Sequence, residues 1–183
     1  MDIQRKNFHH LIPLAERFLR EDMDAPLSWV LTLIREPSFE RFERFDVMWD
    51  RQDVFEGRYR YWDLPSDMER MDQYYDGLAG QERLRERYKP REWSPTLGQQ
   101  RTELPVAAAR ALLDSLKTSQ IMFPVANHNH VMLDGTHLIL TIRGGTSLQV
   151  TVEWDEGQHL ELDQLAEAVQ SLFLALQEGE QYT

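Results

Sequence analysis

The sequence predicts an α+β fold, with a mostly antiparallel sheet and helices packed on one of its faces. Two segments, 104–118 and 161–177, repeat apolar residues at helical spacing, and the stretch between them alternates apolar and polar residues around Asp-Gly and Gly-Gly pairs. The C-terminal half is therefore predicted to be a helix, a three-strand meander and a second helix. A chain of 183 residues is long enough to bury a core as a single domain, 1–183.

The first element is predicted to be a helix. Its apolar stripe consists of Phe8, Leu11, Ala15, Phe18 and Leu19. Because proline suits the first turn of a helix, Pro13 places the expected helix between Leu11 and Arg20. The apolar run from Ser28 to Ile34 lies between prolines and predicts a buried strand.

The segment 38–50, "SFERFERFDVMWD", combines two patterns. Phenylalanines recur every three positions, which favours a helical turn, but the last residues alternate as in a strand. We predict a turn followed by a strand at 45–50. The stretch 54–62, "VFEGRYRYW", is predicted to be its partner strand, with Gly57 as a bulge or bend.

The segment 66–89 is dense in charge and is predicted to be a helical insertion. Ser66 resembles an N-cap with Glu69 three residues later, and Gly77 and Gly80 are expected to interrupt the helix. The following residues, 90–101, are rich in proline and glycine and predict a connecting loop.

The stretch 127–142, "NHNHVMLDGTHLILTI", predicts a hairpin closed by a two-residue turn at Asp134-Gly135. In this register the core face carries Val131, Leu133, Leu138, Leu140 and Ile142. The opposite face carries His128, His130, Met132, His137, Ile139 and Thr141.

The next connection is predicted to be a three-residue loop, 144–146. A two-residue turn would bury Ser147, Gln149, Thr151 and Glu153, at a cost of at least about 1 kcal/mol for each unpaired group. The longer loop instead places Leu148, Val150, Val152 and Trp154 on the core face. It also sets Glu153 opposite His137, with His130 one strand further across.

His130, His137 and Glu153 are therefore candidate ligands for Zn²⁺ or Ni²⁺, and a metal-binding protein or metal-dependent enzyme is one functional hypothesis. Against it, ligands must converge within about 2 Å of one ion, and an outer sheet face is flat unless another element covers it. The alternatives are histidines that are solvated, ion-paired or part of a binding surface. No phosphate-loop, dinucleotide-binding, nucleophile-elbow or H-E-x-x-H motif occurs in the sequence, so no catalytic residue is predicted.

Aromatic residues suggest two further sites. The run "RYRYW" at 58–62 interleaves basic and aromatic residues as single-strand nucleic-acid platforms do, although arginines paired to nearby carboxylates are the preferred interpretation. Tyr74, Tyr75 and Trp93 are candidate anchors for a protein partner. Alternatively, Tyr75 and Trp93 attach their segment to the core.

The net charge of −11 is unevenly distributed along the chain. No Lys or Arg follows Arg143, so the eight carboxylates of the last 40 residues give that part a charge of −8. These residues are Glu153, Asp155, Glu156, Glu161, Asp163, Glu167, Glu178 and Glu180. An acidic chain is a poor match for nucleic acid or an anionic membrane, and neither is an expected partner.

Two other properties of the sequence exclude particular features. The chain has no cysteine, which excludes disulfides and thiolate metal sites. The sequence shows no signal-peptide run and no stretch of roughly 20 apolar residues, so we expect a cytoplasmic protein.

The leading hypothesis is a non-enzymatic, acidic protein-binding module, for example a bacterial inhibitor or immunity-like protein that masks a basic partner. Asp155, Glu156 and Glu161 are its predicted contact residues, together with the aromatic candidates above. A solvated helix face and tail is the alternative interpretation of the same charges. A structural subunit of a larger assembly is a third hypothesis.

Overall fold

The structure is a computed structural model that describes residues 4–21, 29–38, 40–49, 54–86, 93–118, 135–144 and 148–174. Within these residues the chain forms five helices and six strands. The helices are α1 (Gln4–Arg20), α2 (Leu64–Asp76), α3 (Gly80–Glu86), α4 (Val106–Thr118) and α5 (Leu160–Ser171). The strands are β1 (Trp29–Pro37), β2 (Phe42–Trp49), β3 (Phe55–Trp62), β4 (Leu97–Glu103), β5 (Thr136–Gly144) and β6 (Leu148–Asp155).

The six strands form one sheet in the order β4-β3-β2-β1-β5-β6, and every neighbouring pair is antiparallel. The predicted α+β class is therefore confirmed. β1 to β4 are neighbours in chain order, whereas β5 returns to pair with β1 at the other side of the sheet. This long-range pairing joins the two halves of the chain.

The hairpin predicted across Asp134-Gly135 is wrong, because both edges of β5 are hydrogen-bonded to other strands. Ile34 of β1 and Glu153 of β6 are the residues opposite Ile139. Gly135 pairs with Ser38, whose N–H donates to the Gly135 carbonyl oxygen over 3.0 Å. The first strand of the predicted meander, with His128, His130, Val131, Met132 and Leu133, lies outside the described residues.

The faces predicted for β5 and β6 are correct, but their register is shifted. Leu138, Leu140, Val152 and Trp154 are buried in the core, and Ile142 and Val150 pack against it. His137 is opposite Asp155, two residues from the predicted partner Glu153. The predicted faces are nevertheless correct, because side chains alternate along a strand and a shift of two residues leaves each one on the same face. The side chain of Leu148 lies outside the described part.

The N-terminal elements are longer than predicted. α1 begins at Gln4 and contains Pro13 in its interior. Although proline cannot donate a helical hydrogen bond, the helix continues on both sides of it. Leu11, Ala15 and Leu19 of its apolar stripe are buried. β2 begins at Phe42, so the predicted turn is wrong. The three-residue spacing puts Phe42 and Phe45 on opposite sheet faces: Phe42 packs on Trp62 and Phe45 on Tyr59, with ring centroids 5.2 Å apart in each pair.

The sheet has a core on each face. On the inner face, the strands pack against α4 and α5 through Leu33, Val47, Leu112 and Val169, among others. On the outer face, α1 and α2 cover one part of the sheet through a second cluster. Its buried members are Leu11, Ala15, Leu19, Trp62, Leu64, Met71 and Tyr75.

The segment predicted as a charged insertion forms two helices, and α2 contributes residues to this second cluster. α2 starts earlier than expected, because the Asp63 carboxylate, and not Ser66, accepts the capping hydrogen bond, from the Ser66 N–H over 3.3 Å. Gly77 and Gly80 mark the end of α2 and the start of α3. The end of the predicted connecting loop, 90–101, instead forms β4, which pairs with β3.

Gly57 is neither a bulge nor a bend, since it pairs regularly with Val47 and Thr102. A Cβ atom there would approach Leu104 Cδ2 and Phe173 Cε1 to 2.7 Å. The glycine is required because Phe173, just after α5, and Leu104, in the β4–α4 connection, pack closely on the sheet.

None of the helices in the described ranges combines the length and the apolar character needed to cross a membrane.

Candidate functional site

The outer sheet face contains a buried ionic cluster built around Asp46. The Asp46 carboxylate accepts from Arg44 Nε over 2.7 Å, from Arg58 Nε over 3.1 Å and from Arg60 Nη2 over 3.2 Å. The Thr32 hydroxyl donates a further hydrogen bond over 2.7 Å. We call these five residues the Asp46 cluster.

Strand register brings the Asp46 cluster together. Asp46 is directly opposite Thr32 on one side and Arg58 on the other, while Arg44 is opposite Arg60. Residues two apart along a strand share a face, so Arg44 and Asp46 point to the same side. Each member is less than a tenth exposed.

The arginines of the cluster also hold the end of α1. Arg44 Nη1 donates to the Leu19 carbonyl oxygen over 2.7 Å, and Arg60 donates to the carbonyl oxygens of Phe18 and Glu21 over 2.6 and 2.9 Å. The last carbonyls of a helix lack partners within the helix and carry partial negative charge. The cluster therefore fixes α1 across the outer face by its C-terminal end.

Burial and neighbouring charges shift the pKa values of Asp46 and Arg60 in this cluster. Burial would raise the pKa of Asp46, but Arg44 and Arg60, with the hydrogen bonds from Thr32 and Arg44, hold it below its ordinary value. Burial and the neighbouring Arg44 lower the pKa of Arg60 to about 10, although Asp46 opposes the shift. Both groups stay ionised at neutral pH.

A groove lies beside this cluster, between the end of α1 and strands β1, β5 and β6, and it encloses about 280 Å³. We call it the outer-face groove. Its lining residues are Arg20, Thr32, Ile34, Arg44, Ile139, Thr141, Arg143, Gln149, Thr151 and Glu153. The end of α1 thus flanks the polar face of the sheet, and a binding site on that face requires such a covering element.

The predicted metal ligands are only partly brought together. His137 Nδ1 is 3.0 Å from Asp155 Oδ1, and His137 Nε2 is 3.8 Å from Glu153 Oε2. His130 lies outside the described residues. Across the described ranges no three histidine or carboxylate side chains are grouped as metal ligands.

The aromatic candidates lie in the second cluster under α1 and α2. Tyr75 is buried, and Tyr74 packs edge-on against both Tyr75 and Trp93, with centroid distances of 5.3 and 5.8 Å. The guanidinium of Arg70 lies 5.5 Å from the Trp93 ring centroid. This packing matches the interpretation in which Tyr75 and Trp93 attach their segment to the core.

The acidic candidates lie together where β6 meets α5. Asp163 in the first turn of α5 accepts hydrogen bonds from Trp154 Nε1 over 2.9 Å and from the Gly157 N–H over 3.0 Å. These bonds hold the start of α5 against the end of β6. We call the exposed or half-buried carboxylates at this place the acidic corner: Glu153, Asp155, Glu156 and Glu161.

The aromatic and acidic candidates therefore occupy different places. The aromatic group follows β3, whereas the acidic corner adjoins β6, which is an edge strand of the described sheet.

The arginines of "RYRYW" pair with a carboxylate, as the preferred interpretation predicted. Asp46 is the partner of both Arg58 and Arg60. Tyr59 and Trp62 are buried, so their rings are not available for stacking on bases. Asp46, Arg44 and Thr32 were not predicted from the sequence as members of the cluster. The alternation of charged and apolar residues in β2 and β3 is a signal that could have pointed to the charged members, but not to Thr32 or the contacts to α1.

Comparisons with protein-family models, with curated proteins and with solved structures found no match to this chain.

Proposed function

We propose that this protein is a non-enzymatic binding module that uses the acidic corner to bind a basic protein. The observation that carries the proposal is the concentration of carboxylates where β6 ends and α5 begins, in a stretch of sequence that contains no Lys or Arg. A bacterial inhibitor or immunity-like protein that masks a basic toxin is the concrete form, and a cytoplasmic location belongs to the same proposal.

Exposure supports this assignment. The Glu153 side chain is 57% exposed, and Glu156 and Glu161 are exposed as well. Carboxylates of one sign on a rigid support raise the rate at which an oppositely charged partner associates. The support is rigid here because Asp163 ties the helix to the strand.

The test is co-purification at low and high salt. Wild-type protein and the triple variant E153Q/E156Q/E161Q are immobilised and exposed to lysate at about 10 mM and then about 500 mM salt, since exposed charges interact over about 30 Å at the lower concentration. A basic protein retained by the wild type at low salt, released at high salt and not retained by the variant supports the proposal.

A matched control separates the acidic corner from net charge. E16Q/E69Q/E82Q removes three exposed carboxylates from α1, α2 and α3 and changes the net charge by the same amount. Equal loss of binding in both triple variants would contradict a specific role for the acidic corner.

The second candidate function is metal binding by His130, His137 and Glu153. It is favoured by the 3.8 Å distance between His137 Nε2 and Glu153 Oε2. Elemental analysis of protein purified without a histidine tag tests it, alongside His130→Ala and His137→Ala. Close to one metal per chain, lost in both variants, supports this function, and no bound metal contradicts it.

A further inference from the structure

The charge of the outer-face groove is opposite to that of the protein as a whole. Its lining contains three arginines and one glutamate, Arg20, Arg44, Arg143 and Glu153, although the chain carries a net charge of −11. Arg20 contacts Glu36 over 3.2 Å, but 55% of its side chain remains exposed. The groove is thus a local basic site on an acidic molecule.

The floor of the groove adds to this positive charge. Arg44 and Thr32 belong both to the groove and to the Asp46 cluster, in which three guanidinium groups share one carboxylate and leave an excess of two positive charges. The carbonyls at the end of α1 offset only about half a charge. Arg58 Nη2 and Arg60 Nε have no hydrogen-bond acceptor among the described residues, but these two arginines lie outside the groove lining.

The other lining residues combine hydroxyl groups with an apolar strip. Thr32, Thr141 and Thr151 form one row across β1, β5 and β6, and Ile34 and Ile139 form the neighbouring pair. Ligand sites typically combine apolar contact area with a few polar groups that orient the ligand. About 280 Å³ is at the lower end of such sites, which indicates a small ligand.

We propose that the outer-face groove binds a small organic anion, whose charged group contacts Arg20 and Arg143 and whose apolar part lies on Ile34 and Ile139. Guanidinium groups match both carboxylate and phosphate through paired hydrogen bonds, so either can supply the charge. Glu153 belongs both to the groove lining and to the acidic corner, but the proposal does not require the basic protein partner.

The test uses hexanoate and hexyl phosphate as probes, with hexan-1-ol as the uncharged analogue. Affinity is measured by calorimetry, and the location of binding is measured by shifts of backbone amide NMR signals. Binding of either anion, with shifts at Thr32, Ile139 and Thr141 and clearly weaker binding of hexan-1-ol, supports the proposal. The better of the two anions identifies the charged group.

Amino-acid substitutions test whether the anion binds in the groove. R20Q and R143Q are each expected to weaken the anion about tenfold through loss of a charge-assisted contact. R17Q is the matched control, because Arg17 is an exposed arginine of α1 outside the groove lining. Binding of neither anion, equal binding of hexan-1-ol, or unchanged affinity in both groove variants would overturn the proposal.

Discussion

Arg60 and Asp46 form an ion pair that is closed off from solvent, with Nη2 and Oδ2 3.2 Å apart and neither side chain exposed. The same guanidinium binds two carbonyl oxygens at the end of α1. A single pair thus connects the centre of the sheet to the helix that flanks the outer-face groove. Its removal should affect both stability and the shape of that groove.

Replacing Asp46 with asparagine is expected to lower the free energy of unfolding by about 3–5 kcal/mol at neutral pH, because three buried guanidinium groups lose the carboxylate they share. Thr32→Val is the control, since it removes one hydrogen bond and keeps the carboxylate, and it should cost about 1.5 kcal/mol. Urea denaturation followed by circular dichroism measures both. Equal losses would contradict the role of the charge.

The contribution of Asp46 should also depend on pH. Its pKa is lower in the folded protein than the ordinary value of 3.8, so its ionised form stabilises the fold above that value and the contribution is lost as pH falls through the folded pKa. The difference in unfolding free energy between wild type and D46N should stay constant from neutral pH down to about pH 5 and shrink below 3.8. A difference that grows on acidification would refute this assignment.

Gly57→Ala should destabilise the protein by about 1–3 kcal/mol, because the new methyl group would overlap Leu104 and Phe173. Gly80→Ala is the matched control: a Cβ atom there meets nothing within 4 Å, and stability should not fall. Thermal unfolding of the two variants provides the comparison. Equal stability of both would show that Leu104 and Phe173 can move away from a methyl group at position 57.

Asp163→Ala should destabilise the protein by about 1–2 kcal/mol, since it removes the acceptor of two hydrogen bonds that hold α5 on β6. Glu167→Ala, an exposed position on the same helix, should change stability by no more than about 0.5 kcal/mol. Denaturant titration distinguishes them. If D163A behaved like E167A, the attachment of the acidic corner would rest on other contacts.

Local patterns were sufficient to predict the fold class and the faces of several strands. Alternation in β5 and β6 correctly placed Leu138, Leu140, Val152 and Trp154 in the core, because burial of polar residues penalises the opposite parity. The same pattern could not show that β5 pairs with β1. That pairing joins residues about a hundred positions apart, and neither a turn nor a periodicity encodes it.

The candidate site was predictable only in part. Arg58 and Arg60 were expected to pair with carboxylates, and they do, but selection of Asp46 depends on the register between β2 and β3. The outer-face groove combines residues of α1, β1, β2, β5 and β6, so it exists only after the sheet is assembled. The acidic corner depends less on the assembly of the sheet, since its members are close together in sequence.

The most direct test of the proposed function is the ionic-strength dependence of the affinity for the purified basic partner. We predict that the dissociation constant of the wild type rises steeply between about 10 and 150 mM salt, as screening shortens the range of exposed charges from about 30 to 8 Å. In E153Q/E156Q/E161Q the affinity should be weaker and this dependence much flatter. A wild-type affinity that does not change with salt, or a triple variant that binds like the wild type, would contradict the role of the acidic corner.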